Sequence, residues 1–218
     1  MGTLIKNATI INEGLSFKGS LLITNDRISK ILDSSDEDYA VKLSAIEESA
    51  DPLSVIDAEG MLLLPGAIDD QVHFREPGAT HKGDIASESA AAALGGVTSY
   101  MDMPNTVPQT TSLETLDAKF VDAGKKSRVN YSFFFGVTND NAQLLPSLDK
   151  RRVCGVKLFM GSSTGNMLVD KQEALTKIFS EAGMLIMAHC EDQSIIQANT
   201  EALKAQYGED PDVKYHPV

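Results

Sequence analysis

The 218-residue sequence has no tryptophan, only two cysteines and four histidines, and 19 basic residues against 31 acidic ones. Its net charge of −12 disfavours nucleic acid and anionic membranes as partners, because both repel an acidic surface. No apolar run approaches the roughly 20 residues of a membrane-spanning helix, and the first residues form no basic, apolar leader. Cys154 and Cys190 stand in apolar, strand-like segments, so we expect reduced thiols in the core of a cytoplasmic protein.

Residues 1–60 are predicted to form a small β domain, the first of two domains. Short apolar stretches alternate there with turn sequences such as NEG at 12–14 and ND at 25–26. The acidic, serine-rich segment 33–52 is expected to be an exposed loop that could include a short helix. A unit of this size is too small to fold alone.

From residue 61 onward, apolar strands alternate with amphipathic helices, which predicts a second domain over 61–218. The five predicted strands lie at 61–73, 97–103, 129–135, 153–160 and 184–188. The predicted helices lie at about 84–94, 111–126, 141–148, 170–183 and 192–207. The sequences TSLE at 111–114 and DKQE at 170–173 are predicted capping boxes. Strands joined by helices are parallel, so the predicted sheet is parallel.

The spacing of polar residues at the strand ends indicates which parallel fold this is. His73 and Asn105 are 32 residues apart, as are Lys157 and His189, and a (β/α)₈ barrel has about 31 residues per unit. A doubly wound sheet would have a G-x-G-x-x-G turn after an early strand, and the sequence has none. We therefore predict an α/β fold with about five of the eight units of a (β/α)₈ TIM barrel. The sequence stops at Val218 without a closing element, so we expect the amino-terminal part of a longer protein.

The most informative stretch is MLLLPGAIDDQVHFREPG at 61–78. Its apolar part ends in a segment that contains His73 and Arg75, and a loop after a strand can carry such groups without burying their charge. Alone, the stretch is most simply a strand and a polar turn. However, Asn105, Lys157 and His189 fall at the ends of later strands, where the active sites of barrels lie.

Lys157 lies inside the predicted strand VKLF at 156–159, where burying a free ammonium group is costly. Its side chain could extend to the barrel mouth or meet a carboxylate. Alternatively, a lowered pKa would let it react with CO₂, and the resulting carbamate could bridge two metal ions. His189 alone would more often be structural, but beside His73 and Lys157 a role as metal ligand is the better interpretation.

The sequence resembles the cyclic amidohydrolases, and within them the dihydroorotase family. The resemblance is carried by PGAIDDQVHFREPG at 65–78, MPNT at 103–106, VKLF at 156–159 and AHCE at 188–191. It implies a metal-dependent (β/α)₈ barrel with a small β-sandwich built from both chain ends, of which residues 1–60 would be part. The implied reaction is the reversible ring closure of N-carbamoyl-L-aspartate to L-dihydroorotate in pyrimidine synthesis, with zinc as the usual metal.

The resemblance also implies roles for individual residues. His73 matches the second histidine of the family's Asp-x-His-x-His signature. Lys157 matches its carbamylated, metal-bridging lysine, and His189 matches a ligand of the second metal. Arg75 and Asn105 match the pair that binds the substrate carboxylate, for which a guanidinium is well suited. Neutral imidazoles and anionic oxygens suit zinc, and a two-metal site can supply hydroxide at neutral pH.

The sequence departs from the family pattern at Gln71, which stands where the first histidine would be. An amide oxygen is a poorer zinc ligand than an imidazole, so the occupancy of the first metal site is in question. The family's later histidine ligand and its general base, an aspartate, lie after the fifth strand, so residues 1–218 alone are expected to be inactive. The full-length protein is expected to act on a small molecule, to be a homodimer, and to be able to associate with another enzyme of the pyrimidine pathway.

Two alternative functions stay open. Another cyclic amidohydrolase, such as a dihydropyrimidinase, hydantoinase or allantoinase, would share the metal scaffold but generally lack the carboxylate-binding arginine, so Arg75 discriminates between them. Gln71 suggests a catalytically silent dihydroorotase-like subunit that supports a partner enzyme. The presence of Arg75, Asn105 and Lys157 argues against that second alternative.

Overall fold

The computed structural model describes residues 2–49, 51–161, 165–210 and 212–215. The predicted end of the chain at 216–218 therefore lies outside the described residues. Contacts divide the chain into two units, Met1–Gly66 and Ala67–Val218. No helix in the described ranges is long and apolar enough to cross a membrane.

The first unit is a five-stranded mixed sheet with one helix. Its elements are β1 (Gly2–Asn12), β2 (Leu15–Thr24), β3 (Arg27–Asp33), α1 (Tyr39–Glu47), β4 (Leu53–Asp57) and β5 (Leu62–Leu63). Strand β1 pairs antiparallel with β2 and parallel with β4 and β5, and β3 extends the sheet beyond β2. The β1–β2 hairpin turns at Glu13 and Gly14, whose φ angles of 49° and 78° have the sign that a tight hairpin turn requires. Leu4, Leu32 and Ile46 form a buried cluster in this unit.

Strand β5 corrects the predicted start of the first barrel strand. The sequence pattern placed residues 61–73 in one strand, but Leu62 and Leu63 pair with Thr9 and Ile10 of β1. The next strand of the chain begins only at Ala67. Pro65 separates the two segments, since proline has no N–H with which to continue a ladder.

The second unit alternates parallel strands with helices. Its strands are β6 (Ala67–Val72), β7 (Val97–Asp102), β8 (Asn130–Gly136), β9 (Gly155–Phe159) and β10 (Ile186–His189). Its helices are α2 (Ile85–Leu94), α3 (Leu113–Lys126), α4 (Gln172–Glu181) and α5 (Gln193–Tyr207), with short 3₁₀ helices at Ala142–Ser147 and Val213–Tyr215. All neighbouring strands are parallel, and their order in the sheet follows the sequence from β6 to β10. Doubly wound sheets reverse their strand order, whereas barrels do not, so the predicted barrel units are confirmed.

The core of the second unit is centred on β8. Phe133, Phe134 and Phe135 are all fully buried, as in a parallel strand that is covered on both faces. Phe120 of α3 packs edge-on against Phe133, with ring centroids 4.8 Å apart. These contacts fix α3 against the sheet.

Two helices begin differently from the predicted capping boxes. The cap of α3 is Ser112, whose Oγ accepts from the Thr115 N–H at 3.2 Å while Thr115 Oγ1 accepts from the Ser112 N–H at 3.2 Å. The box therefore lies one residue later than TSLE. The predicted box at 170–173 is wrong, because α4 has Lys171 at its N-cap without a side-chain bond. The Asp170 carboxylate accepts instead from Asn139 Nδ2 at 2.9 Å.

The prediction that both cysteines are core thiols is also wrong. Cys154 is half-buried and Cys190 is exposed, and neither forms a disulfide. Strand β9 begins one residue after Cys154 and β10 ends one residue before Cys190. Each cysteine thus lies just outside a strand, and neither side chain is part of the core.

The edges of the parallel sheet generate a prediction about residues 1–218 expressed alone. In the described chain, β6 and β10 each have one parallel neighbour, and Ile68 in β6 is 64% exposed. Free strand edges and exposed apolar surface favour association. We expect these residues alone to form oligomers in analytical ultracentrifugation, and Ile68→Lys to reduce them, because an edge lysine opposes strand pairing. A monodisperse wild-type monomer that melts cooperatively would contradict the view that the barrel is incomplete.

Candidate active site at the carboxyl ends of the strands

The predicted site residues come from neighbouring strands of the parallel sheet, at or near their carboxyl ends. Parallel pairing brings these ends to one edge of the sheet. Within the pairing, Lys157 of β9 lies beside Gly136 of β8 and Met187 of β10. The other positions are Gln71 in β6, His73 and Arg75 after β6, Asn105 after β7, and His189 as the last residue of β10.

His73 and Asn105 are in direct contact. His73 Nδ1 lies 3.0 Å from Asn105 Oδ1, so the imidazole N–H donates to the amide oxygen in the tautomer that carries its proton on Nδ1. That tautomer leaves the Nε2 lone pair available. Metal-binding histidines are commonly oriented in this way, by a hydrogen bond from the other ring nitrogen.

The surroundings of His73 favour its neutral form. His73 is an exposed residue, but partial desolvation lowers the pKa of its imidazole, and the nearby positive charge of Arg75 lowers it further, with a smaller contribution from Lys157. Asp102 and the hydrogen bond to Asn105 act in the opposite direction. A neutral imidazole is the form that binds metal ions.

Lys157 is buried, and the described part of the chain provides no anionic partner for it. It is 5% exposed, and burial lowers the pKa of its ammonium group. Its Nζ lies 5.0 Å from the centroid of the Phe159 ring. Among the described residues, no carboxylate is within ion-pair distance of this Nζ and no oxygen accepts a hydrogen bond from it. The predicted alternative in which Lys157 meets a carboxylate is therefore not what the described residues show.

Arg75 is half-buried and has a strained backbone. Its φ of +68° lies in the left-handed region, which non-glycine residues seldom adopt. The preceding residue, Phe74, is buried against Tyr100 with ring centroids 4.4 Å apart. Strain of this kind persists where the surrounding structure fixes the backbone, and it is frequent at functional sites.

Gln71 and His189 are both exposed. His189 Nε2 lies 3.5 Å from Glu191 Oε2, and within the described ranges no hydrogen bond joins His189 to His73 or Lys157. No three His, Cys, Asp or Glu side chains in the described part of the chain converge as metal ligands. The structure thus brings His73, Asn105 and Arg75 together, with Lys157 nearby, and leaves His189 at the adjoining strand end.

Sequence reasoning missed a buried ion pair next to the cluster formed by His73, Asn105 and Arg75. Asp102, the last residue of β7, has its Oδ2 2.6 Å from Lys119 Nζ of α3, and both side chains are 1% exposed. Burial lowers the pKa of Lys119, and the negative charge of Asp102 opposes that shift. A signal was available in the sequence, because Lys119 falls on the apolar stripe of α3 with Leu116 and Ala123, and a buried lysine needs a partner.

Glu76, which sequence reasoning also missed, ties the loop after β6 to two helices. Its Oε2 accepts from the Ile85 N–H at 2.9 Å, at the start of α2, and its Oε1 forms an ion pair with Lys126 of α3. The loops after β6 and β7 also contact each other, since the Val107 N–H donates to the Pro77 carbonyl at 3.0 Å. At Gly78, where φ is +94°, an added Cβ would lie 2.3 Å from the Val107 oxygen. The two loops that carry the cluster therefore pack as one body.

Comparison with known proteins identifies relatives along nearly the whole chain. The profile of the Dihydro-orotase-like family matches residues 60–208. A dihydroorotase of Methanosarcina acetivorans is 36% identical over 217 residues, which are 98% of this chain and 44% of that protein. An L-hydantoinase of Paenarthrobacter aurescens is 28% identical over 212 residues, which are 95% of this chain and 44% of that protein.

Solved structures show the same relationship. An L-hydantoinase (dihydropyrimidinase) from Arthrobacter aurescens matches with a TM-score of 0.79 and 26% identity, over 95% of this chain and 45% of that one. A crystal structure of a D-hydantoinase matches with a TM-score of 0.71 and 28% identity, over 99% of this chain and 45% of that one. The chain spans less than half the length of these relatives. Since the family profile covers more than half of the chain, the chain belongs to the dihydroorotase-like family.

Proposed function

We propose that the full-length protein is a dihydroorotase, a hydrolase that interconverts L-dihydroorotate and N-carbamoyl-L-aspartate. The observation that carries the proposal is the position of Arg75 beside the hydrogen-bonded His73 and Asn105. This arrangement places a cation suited to carboxylates next to an imidazole suited to a metal. The dihydroorotases among the relatives, at up to 36% identity, support the same assignment.

The substrate carboxylate is proposed to bind between Arg75 and Asn105. A guanidinium can donate to both oxygens of a carboxylate. Because Asn105 Oδ1 is engaged with His73, the Asn105 side chain offers its amide N–H groups to a ligand. The carboxylate of dihydroorotate would thus be held on one side by a charged fork and on the other by an amide donor.

Zinc is proposed as the metal, held by His73, His189 and a carbamate on Lys157, with Gln71 as a weak contributor. The donor set fits, because the His73 Nε2 keeps a lone pair when Nδ1 carries the proton and because Lys157 has no anionic partner among the described residues. A lowered pKa gives Lys157 a larger neutral fraction, and a neutral amine attacks CO₂, forming an N–C bond and releasing one proton. When bound, zinc supplies hydroxide at neutral pH and polarises the amide carbonyl.

The general base is assigned to a part of the protein outside residues 1–218. Asp102 is a buried carboxylate at the end of β7, but its two oxygens contact the Phe74 N–H and Lys119 Nζ. It is therefore not free to accept a proton from water. On this proposal, residues 1–218 form only part of the active site and have no activity alone.

Hydantoinase activity is the second candidate, and the structural likeness to an L-hydantoinase favours it. The two activities differ in the ring carboxylate, which dihydroorotate has and dihydrouracil lacks. The half-buried Arg75 favours the carboxylated substrate, because a site with polar groups discriminates against an analogue that leaves them unpaired.

The role of Lys157 predicts a joint loss of metal and activity. In the full-length protein, Lys157→Ala should lower both the bound zinc, measured by mass spectrometry, and the turnover of dihydroorotate. Short carboxylic acids added with zinc should partly restore both by supplying the missing oxygens. The exposed Lys171 offers a control, because Lys171→Ala should change neither quantity. Unchanged zinc content in Lys157→Ala would return Lys157 to a structural role.

The departure at Gln71 predicts unequal metal sites. Because an amide binds zinc weakly, the first site of the wild type should be looser than the second, and Gln71→His should tighten it. Calorimetric titration of the metal-free protein with zinc measures both affinities. Two equally tight sites in the wild type, unaffected by the substitution, would show that Gln71 has no part in metal binding.

The carboxylate contact predicts a change in specificity. The wild type should prefer dihydroorotate to dihydrouracil, by about 10⁴-fold in a favourable case. Arg75→Met should weaken transition-state binding of dihydroorotate by roughly 2–5 kcal/mol and hardly affect dihydrouracil, whereas Arg151→Met at an exposed position should affect neither. The measurement is kcat/KM for each substrate. Equal losses on both would mean that Arg75 organises the loop or metal site, and faster turnover of dihydrouracil by the wild type would favour a hydantoinase.

A further inference from the structure

His73 lies between two backbone groups that are both bonded to the end of β7. The Val72 carbonyl accepts from the Met103 N–H at 3.0 Å, and the Phe74 N–H donates to Asp102 Oδ1 at 3.1 Å. The backbone on each side of His73 is therefore fixed to the neighbouring strand end. The bond from Phe74 thus extends the connection between the two strand ends beyond Val72.

The Asp102 carboxylate is in turn held by α3. Lys119 Nζ lies 2.6 Å from Asp102 Oδ2 and donates to the Met103 carbonyl at 3.0 Å. Met103 stands two residues before Asn105. One buried ion pair therefore contacts the backbone next to His73 and the backbone that leads to Asn105. The side chains of His73 and Asn105 are themselves in contact, at 3.0 Å.

Stability alone explains such a pair poorly. Moving two charges out of water is costly, and apolar side chains of similar volume often replace a buried ion pair without loss of stability. Both side chains of this pair are 1% exposed, so that cost applies in full. The geometry that the pair imposes on the two strand ends is a more specific explanation.

We propose that Asp102 and Lys119 are positioning residues that set the placement of His73 and Asn105 relative to each other, and with it that of Arg75. They act through the Phe74 N–H and the Met103 carbonyl and do not touch the substrate. The catalytic role of this arrangement rests on the proposed function, whereas the contacts themselves are observed in the structure.

Two double variants of the full-length protein isolate the bond from Phe74. Asp102→Asn/Lys119→Met and Asp102→Leu/Lys119→Met both remove the buried charges, and the side chains of asparagine and leucine have the same number and branching of heavy atoms. Only asparagine keeps a carbonyl oxygen that can accept from the Phe74 N–H. Asp117→Asn is the control, because Asp117 lies on the same helix as Lys119 and the substitution removes the charge from its exposed pair with Arg152 (2.8 Å).

We expect Asp102→Leu/Lys119→Met to have a kcat/KM about 100-fold below that of Asp102→Asn/Lys119→Met, since misplacement of a site by about 1 Å can cost that much. In the metal-free protein, the Phe74 amide should exchange with deuterium about tenfold faster in the leucine variant, because its hydrogen bond is lost. Both assays are done well below the urea midpoint of each variant. Asp117→Asn should match the wild type in both.

Equal kcat/KM for the two double variants would overturn the inference, and so would unchanged Phe74 exchange in the leucine variant. Failure of both variants to fold would assign the pair to the fold and also overturn it. If the wild type does not act on dihydroorotate, the proposed function fails on its own. In that case kcat/KM is measured on the cyclic amide that the protein does hydrolyse, and the exchange rates test the positioning role independently.

Discussion

The parallel hydrogen-bond ladder of β6 to β10 is the constraint on which the rest of the site depends. Because all five strands run in the same direction, their carboxyl ends lie at one edge of the sheet. His73 and Asn105, which are 32 positions apart, thereby come within 3.0 Å at Nδ1 and Oδ1. The helices between the strands cover the sheet and bury the aromatic side chains of β8. The loops at the strand ends are then free to carry polar groups.

Burial then determines the chemistry of those polar groups. The exposed His73 and the buried Lys157 both have lowered pKa values, chiefly because desolvation disfavours their charged forms. A neutral imidazole can bind a metal, and a neutral amine can react with CO₂. By contrast, Asp102 and Lys119 are buried as an ion pair. Asp102 also accepts a hydrogen bond from the Phe74 N–H, and Lys119 donates one to the Met103 carbonyl. The same physical effect thus yields reactive groups at the sheet edge and a fixed support beneath them.

Sequence alone predicts this fold well, because regular periods and spacings are local properties. The alternation of apolar strands and amphipathic helices, together with the 32-residue spacing, is enough to distinguish a barrel from a doubly wound sheet. Boundaries are less predictable. Ser112 and Thr115 form the capping box in place of TSLE at 111–114, since adjacent Thr and Ser residues are comparable caps. Cys190 is exposed because it follows His189, the last residue of β10.

The support beneath the site was not predicted, because it depends on contacts between distant residues. Asp102 and Lys119 are each ordinary in their local sequence, and only the packing of α3 on the sheet brings them to 2.6 Å. The polar residues at the strand ends were recognisable because their spacing repeats and because they resemble a known family. Their positions at one sheet edge agree with that resemblance, while the roles of Lys157 and His189 in metal binding are proposals.

The most direct test of the account is a crystal structure of the full-length protein with zinc and N-carbamoyl-L-aspartate. The account predicts electron density for a carbamate on Lys157 that contacts zinc, and a substrate carboxylate bound by Arg75 and Asn105. Unmodified Lys157 in a zinc-loaded site, or a ligand carboxylate bound away from Arg75, would contradict it.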